Sequence, residues 1–188
     1  FVNTNLKETE IEQDIVIHTE WLAQKVEANL NYEVTKYIPY ATENESNLII
    51  QGKITSNVKD YTLPVKNTKI NINIPQIAGE YPEKVTVINS TKETAEEINQ
   101  NGVTYDEKTG KLIIEDKNDV ENGKIKWQKN KPQVYIVTYI YSAKVYENIK
   151  DKSVKLSYQL DSELALYSNK DITVKATATA EKEQKEKL

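Results

Sequence analysis

Apolar side chains recur at every second position along most of this chain, the spacing of strands with one buried face. Ile15, Ile17, Thr19 and Trp21 share one face of a first predicted strand, and Leu30, Tyr32, Val34 and Lys36 one face of a second. Tyr37-Ile-Pro-Tyr40 leads into a polar loop, Ala41 to Asn47. Leu48, Ile50, Gly52 and Ile54 follow on one face. Ile70, Ile72 and Ile74 alternate with Asn71 and Asn73, and Pro75 ends that strand because it cannot donate to a ladder. Val85 and Val87 mark another strand. Leu112 and Ile114 mark the next, after Asp106-Glu-Lys-Thr-Gly110, a hairpin-type loop with glycine at its end.

Further along, Ile125 and Trp127 alternate after an Asn122-Gly123 turn. From Val134 to Tyr141, the aliphatic positions Val134, Ile136 and Ile140 alternate with Tyr135, Val137, Tyr139 and Tyr141. Val154, Leu156, Tyr158 and Leu160 form a clean alternation, and Ile172, Val174, Ala176 and Ala178 close the series. About ten strands at this spacing predict an all-β fold, an Ig-like antiparallel β-sandwich. One helix is expected in a connecting loop. Ser90 and Glu93 form a capping box, Ala95 and Ile98 share a side, and Gly102 stands at the stop position. Ser142 to Ile149 reads either as more of the tyrosine-rich strand or as a helical turn with Val145 and Ile149 inward; the turn is preferred.

No internal repeat or Gly/Ser-rich hinge divides the 188 residues, so one sandwich over residues 1–180 is expected. The charged run Glu181-Lys-Glu-Gln-Lys-Glu-Lys-Leu188 then reads as a linker to a following domain. With its start at Phe1-Val2-Asn3, the chain reads as a segment of a longer protein.

Composition narrows the chemistry. The absence of cysteine excludes disulfides, cysteine-ligated metals and thiol nucleophiles. A single histidine, His18, excludes a multi-histidine centre. All 25 basic residues are lysine and the net charge is −4, so the arginine fork that grips phosphate or reads guanine is missing. Nucleic acid is therefore not an expected partner. No apolar run reaches the ~18 residues of a membrane span, so membrane insertion is not expected. Abundant Lys, Asn and Ile with no Arg is the usage of an AT-rich genome, as in low-GC Gram-positive bacteria.

Three constellations carry candidate chemistry. Asp116, Asn118 and Asp119 resemble the start of a calcium loop, although Val120 stands where a further oxygen is required; the alternative is a solvated loop. Tyr135, Tyr139 and Tyr141, with Trp127 nearby in sequence, can form a sugar-stacking platform or pack a core. Lys25 or Lys36 with Asn169 can supply an intramolecular isopeptide crosslink between early and late strands. The sequons Asn44-Glu-Ser46 and Asn89-Ser-Thr91 read as chance in a chain so rich in asparagine. His18, opposite Ile17 and Trp21, reads as an ordinary strand histidine. No cofactor is implied, and no enzymatic activity is expected.

The block Leu63-Pro-Val-Lys-Asn-Thr-Lys-Ile-Asn-Ile-Asn-Ile-Pro75, then Gly79-Glu-Tyr-Pro82, Lys84-Val-Thr-Val-Ile88 and Tyr135-Ile-Val-Thr-Tyr139, is similar to a known pattern. It resembles β-sandwich repeat modules of large Clostridia-type Gram-positive cell-surface, adhesin-like proteins, over roughly residues 30 to 180. The resemblance implies an extracellular, cell-surface location and a structural or adhesive role as spacer or ligand-presenting domain. Its partners would be neighbouring modules of the same chain and a host or glycan ligand. A carbohydrate-binding module of a secreted enzyme is the alternative. The resemblance carries over no catalytic residue.

Overall fold

In the computed structural model, the described residues are 27–41, 46–59, 65–91, 96–97, 102–119, 121–123, 132–149, 152–167 and 172–185. They form ten strands: β1 (Glu27–Ala41), β2 (Ser46–Lys59), β3 (Val65–Asn73), β4 (Lys84–Asn89), β5 (Glu96–Glu97), β6 (Val103–Asp106), β7 (Lys111–Lys117), β8 (Gln133–Tyr141), β9 (Ser153–Leu166) and β10 (Ile172–Lys185). One helix, α1 (Ala143–Ile149), joins β8 to β9. The strands make two five-stranded antiparallel sheets, ordered β1-β2-β8-β4-β5 and β10-β9-β3-β7-β6. The fold is the all-β, Ig-like antiparallel sandwich that the alternation predicts.

The core lies where the inward faces meet. Leu48, Ile50 and Ile54 of β2, Ile70 and Ile72 of β3, Leu112 and Ile114 of β7 and Leu156 and Leu160 of β9 are buried there, on the faces read from the sequence. Burying each such side chain contributes about 1.5–3 kcal/mol. Helix α1 is the preferred reading of Ser142 to Ile149. The Ser142 hydroxyl accepts the Val145 N–H at 3.3 Å, and Val145 and Ile149 are its buried residues.

Three details differ from the sequence reading. Strand β1 runs through Pro39 to Ala41, where a loop is expected from Ala41. Proline is tolerated because β1 is an edge strand with one ladder, and a bulge between Val34 and Lys36 shifts its register against β2. Within the expected helix from Ser90 to Gly102, Glu96 and Glu97 pair as β5 with Ile88 and Asn89. Of the two residues read as the helix cap, Ser90 donates its main-chain N–H to the Val134 carbonyl at 2.8 Å, and Glu93 lies outside the described residues. The Thr91 N–H donates to Asn89 Oδ1 at 2.9 Å, and the Thr91 hydroxyl accepts the Val134 N–H at 2.9 Å. Third, β10 continues through Glu181–Lys185, read from sequence as linker, because Ser153–Ser157 of β9 offers it a ladder. The Ser153 hydroxyl donates to Glu183 Oε1 at 2.6 Å, and charged side chains are well tolerated on an edge. The first predicted strand, Ile15 to Trp21, and the one at Ile125 and Trp127 lie outside the described residues.

The β6–β7 hairpin turns as its residues dictate. The Gly110 N–H donates to the Asp106 carbonyl at 2.8 Å, and the Lys108 N–H to Asp106 Oδ1 at 2.9 Å. That main-chain hydrogen bond, the largest cause, holds the Asp106 carboxyl below its ordinary range. Gly110 has φ +70°, and a Cβ there would lie 2.4 Å from the Tyr81 ring and 2.8 Å from the Ile74 carbonyl oxygen. Backbone conformation and crowding therefore both select glycine. Gly110→Ala is expected to lower unfolding free energy by about 2 kcal/mol. Urea denaturation checks this, and a change below about 0.5 kcal/mol, the size of an ordinary surface substitution, would contradict it.

Candidate functional site

The inward row of β8 forms a polar and aromatic seam between the sheets. Tyr135, Tyr139 and Tyr141 are each 0% exposed. The Tyr135 hydroxyl donates to Asp116 Oδ2 of β7 at 3.2 Å. Tyr139 stacks on Tyr158 of β9 with ring centroids 5.7 Å apart and planes 29° apart. The Tyr141 hydroxyl donates to the Pro75 carbonyl, just beyond β3, at 2.7 Å. Three tyrosines of one sheet thus engage the other sheet or its connecting loop. Tyr105 of β6 crosses the opposite way, donating to the Pro82 carbonyl ahead of β4 at 2.6 Å.

Two cross-strand pairs face each other at the Tyr135 end: Asn89 with Tyr135 in one sheet and Thr68 with Asp116 in the other. Asn89 Nδ2 donates to Asp116 Oδ2 at 2.8 Å, and the Thr68 hydroxyl donates to Gln133 Oε1. Asn89, Thr68, Asp116, Gln133 and Tyr135 are all buried. A buried carboxylate is tolerated where polar donors surround it.

These positions correct two sequence expectations. A sugar platform needs exposed rings, and Tyr135, Tyr139 and Tyr141 are core residues, the packing alternative. Trp127 lies outside the described residues. The calcium-loop reading needs Asp116, Asn118 and Asp119 to aim at one centre, but the structure gives them separate tasks. Asp116 points between the sheets, Asn118 Nδ2 donates to the Val65 carbonyl, and Asp119 accepts both the main-chain N–H of Asn122 at 3.2 Å and its Nδ2 at 2.6 Å. Among the described residues, no three His, Asp or Glu side chains are grouped to hold a metal ion. The sequon residue Asn89 is held inside the Asp116 network. Asn44, His18, Lys25 and Asn169 lie outside the described residues. Lys36 stands opposite Gln51 in the β1–β2 ladder, just after the bulge.

A second polar constellation lies at the outer face of the other sheet, in an open pocket of about 480 Å³. Thr173, Ala165, Asn67 and Lys117 form one cross-strand row through β10, β9, β3 and β7. A bulge between Val65 and Asn67 sets Lys66 apart from the β3–β9 register, and its carbonyl accepts the Asn118 N–H at 3.0 Å. The Tyr167 hydroxyl donates to the Asn118 carbonyl at 3.3 Å. Sequence reasoning missed all of this pocket except Asn118. Its residues come from four strands, and only their register brings them together.

Burial also controls titration. It is the largest cause raising the Tyr135, Tyr141 and Tyr105 phenols above their ordinary range. The negative charge of Asp116 adds to the effect at Tyr135, and that of Glu107 at Tyr105. Because the folded values exceed the unfolded value of ~10, their contribution to stability is complete below pH ~10. It is lost as pH rises from there through the folded values. We expect alkaline unfolding in which tyrosinate absorbance rises together with loss of circular dichroism. Gradual ionisation of all 12 tyrosines with the fold intact would contradict it.

No family model matches the chain, and no curated protein matches it in sequence. Solved structures similar to it include a pilin, a fimbrial subunit and a surface-protein subdomain. The full-length major pilin SpaD of Corynebacterium diphtheriae aligns at 12% identity and TM-score 0.45, over 81% of this chain and 34% of that one. The collagen-binding subdomain ACE19 of the Enterococcus faecalis surface protein ACE aligns at 9% identity and TM-score 0.43, over 81% and 94%. AggA, the major subunit of Escherichia coli aggregative adherence fimbriae, aligns at 9% identity and TM-score 0.39, over 82% and 93%. This chain thus spans about a third of the length of SpaD. No helix of the described residues is long and apolar enough to cross a membrane.

Proposed function

We propose that the chain is a non-catalytic structural or adhesive module of a multidomain bacterial surface or secreted protein, acting as spacer or ligand-presenting domain. The parent would be of the large, Clostridia-type Gram-positive kind, with neighbouring modules of the same chain as its partners. The observation that carries this reading is the inter-sheet seam of β8. Tyr135, Tyr139 and Tyr141, the most chemically versatile row in the sequence, are spent on fastening one sheet to the other. A cysteine-free sandwich fastened this way keeps its form outside the cell without disulfides and holds out its loops and outer faces. The mixed Lys and Glu of the outer faces, such as the Lys175–Glu163 pair at 3.1 Å, keep it in solution.

The test is location. Antibodies against this chain are expected to label intact cells of the producing bacterium and to lose their target when the cells are shaved with protease. Labelling only after lysis would overturn the reading.

A further inference from the structure

We propose that the open pocket on the outer face of the β10-β9-β3-β7-β6 sheet binds an acidic glycan through a uronate-type sugar, one that carries a carboxylate and vicinal hydroxyls. This deepens the ligand-presenting reading by assigning a site and a ligand class.

Charge comes first. Lys66 and Lys117 line the pocket, both exposed, and none of the described residues lining it is acidic. Among the described residues neither lysine has a carboxylate within ion-pair distance. The outer-face carboxylates Glu115 and Glu163 stand in the next cross-strand row, and Glu163 is already paired with Lys175 at 3.1 Å. Two ammonium groups over one concavity attract an anion and offer it charge-assisted hydrogen bonds.

The floor supplies the second requirement. The side-chain oxygen of Asn67 is buried and has no hydrogen-bond partner. An unmatched buried acceptor is costly, and an Asn67 amide turned toward a ligand hydroxyl in the pocket would satisfy it. The Thr173 hydroxyl lines the opposite side. Ala165 and Tyr167, both part-exposed, give the apolar surface on which sugar C–H groups pack.

Backbone geometry separates a sugar from a peptide. An extended peptide would need free main-chain groups to add to. Here the Asn118 N–H is taken by the Lys66 carbonyl and the Asn118 carbonyl accepts Tyr167. At Asn118, then, the main chain is already engaged within the fold, and on that side of the pocket recognition falls to side chains. The bulge at Lys66 is also the device that re-aims a side chain beside a site.

The test is an amide NMR titration of the full chain with galacturonate and its short oligomers. Galactose oligomers, acetate and an acidic peptide serve as comparison arms. Galacturonate should shift the amides of Lys66, Asn67, Asn118 and Tyr167, with a monosaccharide affinity on the order of millimolar. Lys66→Gln and Lys117→Gln should each weaken binding about fivefold, and the pair about 25-fold. Both lysines are exposed, so melting temperatures should hold. The proposal is overturned if galacturonate leaves these amides unmoved or if the double variant binds as the parent does. It is equally overturned if galactose oligomers, acetate or the acidic peptide matches galacturonate. None of these failures bears on cell-surface labelling, so the module reading would stand or fall separately.

Discussion

Asp116→Ala is expected to lower the free energy of unfolding by about 4 kcal/mol. The carboxylate accepts from Asn89 Nδ2 at 2.8 Å and from the Tyr135 hydroxyl at 3.2 Å. Removing it strands two buried donors, each costing about 1–3 kcal/mol when left unmatched. Neither donor has water to turn to, since Asn89 is 5% exposed and Tyr135 0%. Asp116→Asn keeps an oxygen of the right shape and should cost about half as much. A double-mutant cycle with Tyr135→Phe isolates the crossing bond, with an expected coupling of about 1 kcal/mol or more. Urea unfolding measures all four corners. A loss below about 1 kcal/mol for Asp116→Ala would mean that Asp116 is not what fastens the sheets here.

Tyr139→Ala is the second large effect, again about 4 kcal/mol, from a different cause. Its ring is fully buried, lies against Tyr158 of the opposite sheet and borders the central aliphatic residues. Truncation loses both transfer energy and packing around the resulting cavity, about 3–5 kcal/mol for a large aromatic. Domains of this kind are stable by roughly 5–15 kcal/mol, so the variant should be close to unfolding at ambient temperature. Tyr139→Phe keeps the ring and should cost under about 1.5 kcal/mol, separating packing from the hydroxyl. Thermal and urea denaturation of the pair check this. Near-equal losses in the two variants would assign the effect to the hydroxyl and contradict the packing account.

Both predictions rest on residues that the sequence marks for attention but cannot place. The alternation from Val134 to Tyr141 shows that Tyr135, Tyr139 and Tyr141 share a face. Whether the face meets protein or solvent is a long-range matter, since the partner Tyr158 comes from β9 and the partner Asp116 from β7. Asp116 continues the inward row of Leu112 and Ile114 by the same period of two. The calcium-loop pattern over Asp116, Asn118 and Asp119 competed with that period, and in the fold the period prevails. The helix expected after Ser90 rests on local signals of the same kind, and at Glu96–Glu97 it yields to pairing with the end of β4.

By itself, then, the sequence determined the all-β class, the inward residues of most described strands, the β6–β7 hairpin and the turn at Ser142. Each depends on contacts within a few residues or on a period that any buried strand must obey. Only the tertiary structure decided the strand order, the role of Asp116 and the pocket of Lys66, Asn67, Lys117 and Thr173. Those depend on register between segments as far apart as β3 and β10, and a one-residue slip would send each of these side chains to the other face.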